Sequence, residues 1–418
     1  MNEMVTEYKA EYDRLFTMLS QALKSETPQS DQENTEMDGI GQDADRDWAA
    51  IVEIAAKHGV ISLLYEELRR QKNFPQELLK RAEGLAQTVV RQNYRLLYLS
   101  WQIQQAMCAE GIRTVLLKGA GTASYYAVPE LRKSGDIDLL LLDLQDAQKA
   151  ARCLEKLGFQ QKEWQPSLHH IVYSLPTERG RTQIEAELHT MFAEPFDDER
   201  VNALLEEQVP LLEKHSQTVT VSGLPLVIPD QAYHAYELLL HMLQHFLRSG
   251  FGLKLLCDWV VLWNRETDAP VQEEYLRLVR ECGIKRFSDL ISLVCVRYLG
   301  LPAERIAFMD PDTGLSCEDF MAEVLQAEEF GKTAKDRMVA LRGNGIWDYI
   351  REFHHQMRLN YPKAGKWIVL WPVLWAITLV RFCRNNRLIR KVSLFSVLKT
   401  AGTRGKLVKN LQLFRQER

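Results

Sequence analysis

The sequence predicts an α+β protein in which a small mixed or antiparallel sheet is embedded in mainly helical surroundings. Three observations carry this expectation. Apolar residues recur at helical spacing over most of both flanks. Short β-branched, apolar runs are concentrated in a central block, residues 113–189, and turn residues separate them. With 418 residues, 46 % hydrophobic and 26 % charged, the chain has length for about two to three domains and the composition of a globular protein.

Residues 1–24 place Tyr8, Tyr12, Leu15, Phe16, Leu19 and Leu23 near 3.6-residue spacing, which predicts a short amphipathic helix. Residues 25–46 are rich in Asp, Glu, Gln, Ser and Gly and poor in apolar side chains, the composition of a flexible acidic linker. Asp47 suits the N-cap of a helix through Trp48, Ile51, Ile54 and Ala55. Further periodicity over 61–70 and 77–110 completes a helical segment, 47–110, with Gly111 as its C-cap glycine.

The pattern then changes. Residues 113–117 and 137–142 suit buried strands, and a helix over 144–157 follows, closed by Gly158. Two more strand-like runs, 169–175 and 181–189, flank a Pro-Thr-Glu-Arg-Gly turn. These elements make residues 111–192 a candidate catalytic core. Helical signals return at 229–247, 252–264, 271–282, 286–299, 315–327 and 334–357, with a brief strand-like run at 218–227. They predict a helical domain over 193–360, followed by an apolar helix and basic tail over 361–418.

Composition narrows function. A net charge of −4 gives no reason to expect a long nucleic-acid partner, which would demand many phosphate-neutralising cations. The 7 cysteines are scattered without a CxxC pair and read as reduced thiols rather than a zinc or disulfide framework. The charged N-terminus lacks a secretion-type apolar core. Together these predict a cytoplasmic protein. The tail differs: from Lys363 onward, thirteen Lys and Arg face one acid, Glu417. Its uncharged stretch 367–380, interrupted by Pro372, is shorter than the about 20 residues a membrane span needs. Because Arg381, Arg384, Arg387, Arg390 and Lys391 follow directly, 363–418 is a candidate for peripheral contact with an anionic membrane or a protein.

The segment Leu117-Lys-Gly-Ala-Gly-Thr, followed by Arg132-Lys-Ser-Gly-Asp136-Ile-Asp138-Leu, carries the chemistry. Residues two apart on a strand share a face, so Asp136 and Asp138 project together while Ile137 points to the core. Adjacent carboxylates repel unless a cation sits between them, and Mg²⁺ prefers a few carboxylates plus phosphate oxygens. The small residues Gly119, Ala120 and Gly121 let backbone N–H groups approach a ligand, and the helix start that follows favours an anion such as a triphosphate. A third carboxylate is expected from 181–189, where Glu185 and Glu187 share one face with His189. Glu187 is favoured and Glu185 is the alternative.

These residues resemble the DNA polymerase β-like nucleotidyltransferase superfamily. More narrowly, Leu-Leu-Lys-Gly-Ala, Leu-Arg-x-x-Gly-Asp-Ile-Asp-Leu-Leu and Glu187-Leu-His189 resemble its uncharacterised bacterial nucleotidyltransferase family, over roughly residues 47–300. The resemblance implies a polymerase β-type sheet and transfer of a nucleoside monophosphate from an NTP, such as ATP, to a hydroxyl of a small molecule, sugar or protein. It implies that Asp136, Asp138 and Glu187 are catalytic and hold two Mg²⁺ ions. Lys118, Gly119, Ala120, Arg132 and Ser134 become the nucleotide-binding candidates. The serine usual after the glycine in the superfamily is Ala120 in this chain, which removes a phosphate-contacting hydroxyl. The alternative is a catalytically inactive nucleotide-binding or membrane-peripheral scaffold protein of a biosynthetic pathway.

Other polar residues read as structural. His241 and His245 share a helix face, but no glutamate occupies the HExxH position, so they are a partly buried pair or line the cleft, with Asp258 a further candidate for the pocket wall. His169 and His170 open a strand. No Walker A or GxGxxG loop is present.

Overall fold

The computed structural model describes residues 9–24, 44–162, 170–176, 184–196, 198–327, 346–361, 364–385 and 407–415. Residues 25–43 of the expected linker 25–46, His169, the turn residues 177–180, the strand start 181–183, the helix start 334–345, and Arg387, Arg390 and Lys391 lie outside the described residues; the linker's last residues, 44–46, are helical.

The N-terminal helices pack by their apolar stripes. Helix α1 (Lys9–Lys24) buries Tyr12, Leu15, Phe16, Leu19 and Leu23, residues three or four apart that form one face. Helix α2 (Ala44–Lys57) begins earlier than its expected cap. Asp47 therefore lies inside the first turn, where its carboxylate pairs with Arg14 of α1 at 3.6 Å. Helices α3 (Ile61–Arg70) and α4 (Gln76–Ala109) follow. At 34 residues α4 is about 50 Å long, enough to pack on the N-terminal helices at one end and on the sheet at the other. It stops where Gly111 takes a φ of +72°.

Five strands form the main sheet: β1 (Thr114–Leu116), β2 (Ile137–Leu141), β3 (Gln160–Gln161), β4 (His170–Leu175) and β5 (Ile184–His189), in the order β1-β2-β5-β4-β3. The sheet is mixed: β2 and β5 run parallel, and the other neighbours are antiparallel. A one-turn helix α5 (Ala120–Ala123) follows β1, and α6 (Ala147–Lys156) connects β2 to β3. Ile137, Leu139 and Leu141 of β2, with Ala186 and Leu188 of β5, form an apolar core with Leu96, Leu97, Ile103 and Met107 of α4. The opposite face carries Asp138, Glu187 and His189.

Beyond helix α7 (Glu199–Gln208), the run expected as one strand at 218–227 is a hairpin, β6 (Ser216–Val221) and β7 (Leu224–Pro229). Ser222 and Gly223 turn it with φ of +50° and +80°. Gln104 of α4 fixes the hairpin by donating to and accepting from the Val227 backbone, 3.0 Å each way. Four helices then build the large helical core: α8 (Gln231–Arg248), α9 (Leu253–Asn264), α10 (Ala269–Cys282) and α11 (Lys285–Leu299). Helix α12 (Cys317–Ala327) packs on α11.

Helices α13 (Ile346–Asn360) and α14 (Trp371–Asn385) pack on one another, with Trp375 Nε1 donating to His354 Nδ1 at 3.2 Å. The end of the chain is not simply a basic tail. Residues 407–415 dock on the helical core through Leu407, Val408, Leu411 and Phe414, and Phe414 N–H donates to Gly283 O at 2.8 Å. Cys108 is exposed and Cys153, Cys257, Cys282, Cys295 and Cys317 are buried, all as free thiols. Among the described residues, no helix is long and apolar enough to cross a membrane.

Candidate metal and nucleotide site

Strand register builds the site. In the parallel pair, Asp138 of β2 lies directly beside Glu187 of β5. In the antiparallel pair, His189 of β5 lies beside His170 of β4. Partners at the same register share a face, so two carboxylates and two imidazoles gather on the side of the sheet away from α4. Asp136, two residues before Asp138, joins them. One ligand atom from each of Asp136, Asp138 and Glu187 lies within 4.8 Å of the others. Glu185 does not join them: its carboxylate pairs with Lys162.

Lys118 Nζ lies 3.0 Å from Asp138 Oδ1. His189 Nε2 lies 2.9 Å from the same oxygen and 3.3 Å from Glu187 Oε2. Asp138 Oδ2 is buried with no hydrogen-bond partner among the described residues. Burial pushes the Asp138 carboxyl up, but Lys118 and His189 outweigh burial and hold it well below the usual carboxylate range. Asp136 moves the other way, raised first by the Asp138 charge and then by burial, with Lys118 opposing. Burial raises Glu187, and the hydrogen bond from His189 brings it net below the ordinary value. Burial lowers Lys118, and the surrounding carboxylates, Asp138 foremost, lift it net upward. Negative charge thus exceeds what Lys118 and His189 neutralise. An orphaned carboxylate oxygen beside mutually repelling acids is a donor set that fits a hard divalent cation.

Gly119 turns the chain between β1 and α5 with φ +59° and ψ −111°. A Cβ there would sit 3.1 Å from the Asp136 carbonyl oxygen, so a side chain is disfavoured for both backbone and contact reasons. The helix expected to offer a dipole at this turn is a single turn, and the Ala120 side chain is buried in it. Any anion held there is met by individual N–H groups, not by a long helix dipole.

Arg132 and Ser134 occupy structural positions. The Arg132 guanidinium donates to both carboxylate oxygens of Asp258 at 2.8 Å, to Gly119 O at 3.1 Å and to Ser134 Oγ at 2.9 Å. Its side chain is buried and faces Asp258 instead of an open anion site. Tyr126 donates to the same carboxylate at 2.7 Å. Asp258 is therefore the counterion of Arg132 and not a wall of the cavity. Together they tie α9 to the turn at Gly119. Asn93 of α4 clamps the same loop, donating to Glu130 O and accepting from Ser134 N–H at 3.1 Å.

A cavity of about 130 Å³ opens beside the acids, lined in part by Lys118, Glu187, His189, Glu237, His241 and His245. That is below the roughly 300–1,000 Å³ of a whole-ligand pocket, so it has room for only part of a small molecule. His241 and His245 meet edge to face with ring centroids 4.4 Å apart. Burial keeps both neutral, pushing His245 down to about 4 and His241 further. Glu237 is 1 % exposed, and neither of its carboxylate oxygens has a hydrogen-bond partner among the described residues. Burial raises its pKa to about 8.

Sequence reasoning missed Glu237, Lys254 and the clustering of His170. A signal existed for the first: Glu237, His241, Gln244, His245 and Arg248 form a polar stripe at spacings of four, three, one and three on a mainly apolar helix. Lys254 of α9, which lowers the Asp136 carboxyl, carries no such mark.

The family described as "Uncharacterised nucleotidyltransferase" matches residues 44–300. Among solved structures, the chain is similar to an antigenic nucleotidyltransferase-like protein from Paracoccidioides brasiliensis. That similarity is 15 % identity over 50 % of this chain and 92 % of that one, with a TM-score of 0.32, and at this level it carries no argument. No curated protein matches the sequence.

Proposed function

The chain belongs to the uncharacterised nucleotidyltransferase family, and from that premise we propose that it transfers a nucleoside monophosphate from an NTP to the hydroxyl of a small molecule, sugar or protein, releasing pyrophosphate. Asp136, Asp138 and Glu187 hold Mg²⁺, in a pair of ions of the polymerase β-like kind. The observation that carries this reading is the pairing of Asp138 with Glu187, which leaves Asp138 Oδ2 buried and without a partner among the described residues.

In the reaction, the acceptor O–Pα bond forms as the bond from Pα to pyrophosphate breaks, and the hydroxyl proton is lost to water. Divalent cations at such a site stabilise the attacking and leaving oxygens of an in-line displacement. The chain's own contribution is positioning and charge. Lys118 draws negative charge toward the cavity mouth. The Gly119 turn lets the backbone approach a phosphate. Arg132, held by Asp258, fixes that turn by its bond to Gly119 O. Glu237, His241 and His245 line the cavity portion that receives part of the nucleotide or the acceptor.

The test incubates full-length protein with each α-labelled NTP, Mg²⁺ and a cell extract, comparing it with Asp136→Asn and Asp138→Asn. Loss of label transfer by at least about a thousandfold in both variants is expected, because electrostatic stabilisation of the transition state is the largest contribution in such chemistry. Equal transfer by all three proteins refutes the mechanism. Mg²⁺-dependent NTP binding without turnover on any acceptor marks the protein as a nucleotide-binding member of the family.

The same proposal includes a peripheral membrane seat for the cytoplasmic protein. Trp367, Ile368, Val369, Val373, Leu379 and Val380 are all more than half exposed, next to Arg381 and Arg384 in the sequence. Apolar side chains beside cations suit the interface of an anionic bilayer. Sedimentation with anionic but not neutral vesicles, lost in Val369→Asp, is expected. Equal sedimentation of both proteins refutes it.

A further inference from the structure

We infer that a further cation position beside this centre, separate from the all-oxygen Mg²⁺ site, is nitrogen-rich: His170, Glu187 and His189 form an N₂O set that takes a first-row transition dication of the Zn²⁺ or Fe²⁺ type in preference to Mg²⁺. The inference rests on the reading of Asp136, Asp138 and Glu187 as a cation site, and Glu187 is common to both sets.

The strands supply the arrangement. His170 and His189 are register partners on β4 and β5, and their ring centroids are 5.2 Å apart. Glu187 shares their face, two residues before His189. His189 Nε2 is 3.3 Å and His170 Nε2 3.8 Å from the same oxygen, Glu187 Oε2. The ligand atoms of all three residues lie within 4.8 Å of one another. A cation about 2.0–2.1 Å from each donor sets neighbouring donors about 2.8–3.0 Å apart in octahedral and about 3.3–3.4 Å apart in tetrahedral geometry. The His189–Glu187 pair already has the tetrahedral separation, and the His170–Glu187 pair stands about 0.4 Å beyond it.

Donor chemistry then separates the two positions. The Asp136, Asp138 and Glu187 set is all oxygen and matches a hard cation such as Mg²⁺. Two imidazoles and one carboxylate, with room left for ligands from water or substrate, match a softer dication. His189 Nε2 also approaches Asp138 Oδ1 at 2.9 Å, so the imidazole ligates a cation through that nitrogen by giving up the proton shared with Asp138. An ordinary structural role for the two histidines, as donors that orient Glu187, predicts no metal dependence of their spectra.

The experiment uses the full chain with Co²⁺ as the spectroscopic probe, in excess Mg²⁺ so that the oxygen set is filled. Visible d–d absorption is expected to saturate at one Co²⁺ per chain. Two hyperfine-shifted imidazole N–H proton resonances should appear with it. His170→Gln and His189→Gln should each remove one resonance and weaken Co²⁺ binding by about tenfold or more. Asp136→Asn should leave Co²⁺ affinity within about threefold and abolish nucleotidyl transfer, so the two readings fail separately. Because His189 is buried, the half-buried His170 is the decisive variant, with unfolding curves recorded for both. Displacement of all Co²⁺ by Mg²⁺, or unchanged binding and resonances in His170→Gln, overturns the inference.

Discussion

Glu237→Gln isolates the physics of the cavity. Glu237 is buried, neither carboxylate oxygen has a hydrogen-bond partner among the described residues, and burial raises its pKa from 4.5 to about 8. Lys118 opposes the rise without cancelling it, while Asp138 adds to it. Below the unfolded value the carboxyl is protonated in both states and contributes no pH dependence. Between that value and about 8 the unfolded chain loses the proton and the folded chain keeps it. Folded stability therefore falls with rising pH across this window, by up to about 1.4 kcal/mol per unit, and the loss levels off above it. An amide cannot ionise, so the variant escapes this slope. Between about pH 5 and about pH 7.5 the stability difference should move by about 3 kcal/mol in favour of Glu237→Gln. Urea unfolding of both proteins in EDTA, at each pH, measures it. A stability difference that stays constant between the two pH values would refute the reasoning, since Glu237 would then ionise like a solvated glutamate.

Three further substitutions probe the frame around the site. Gly119→Ala forces a side chain into φ +59° and to 3.1 Å from Asp136 O. A stability loss of about 1–3 kcal/mol is expected, with lost transfer activity, and urea midpoints with the label assay check both. Asp258→Ala strands the buried Arg132 cation and should cost about 3–5 kcal/mol. Unfolding curves should show the loss partly recovered in an Arg132→Met/Asp258→Ala double variant; additive losses would deny the coupling. Glu185→Gln removes only the pair with Lys162, whose partners are more than a third exposed. Stability should change by no more than about 0.5 kcal/mol and transfer should be unchanged, whereas a loss matching that of Glu187→Gln would reassign the third carboxylate.

Much of this molecule is written in local pattern. The 3.6-residue period of α1 and α3 marks their faces directly, because a surface helix is stabilised by burying one stripe. Alternation on β2 separated Asp136 and Asp138 from Ile137, and alternation on β5 grouped Glu185, Glu187 and His189. Pattern erred where neighbours in space override it. Asp47 suits an N-cap by chemistry, yet α2 begins at Ala44 and Asp47 faces Arg14. The run 218–227 is apolar enough for one strand, but Ser222 and Gly223 accept positive φ and fold it into a hairpin.

Local pattern alone settles which residues can share a face: the aspartate pair, the two candidate glutamates and the glycine turn between β1 and α5. Which faces meet is settled by long-range packing. Parallel register set Glu187 beside Asp138 and left Glu185 to Lys162, a choice alternation cannot make because both glutamates have the same parity. Chain folding also brought Asp258 to Arg132, and Glu237 of α8 to a cavity wall shared with Lys118. Side-chain direction follows from a backbone period of a few residues, but partners far apart in sequence are selected by burial and charge compensation over the whole chain.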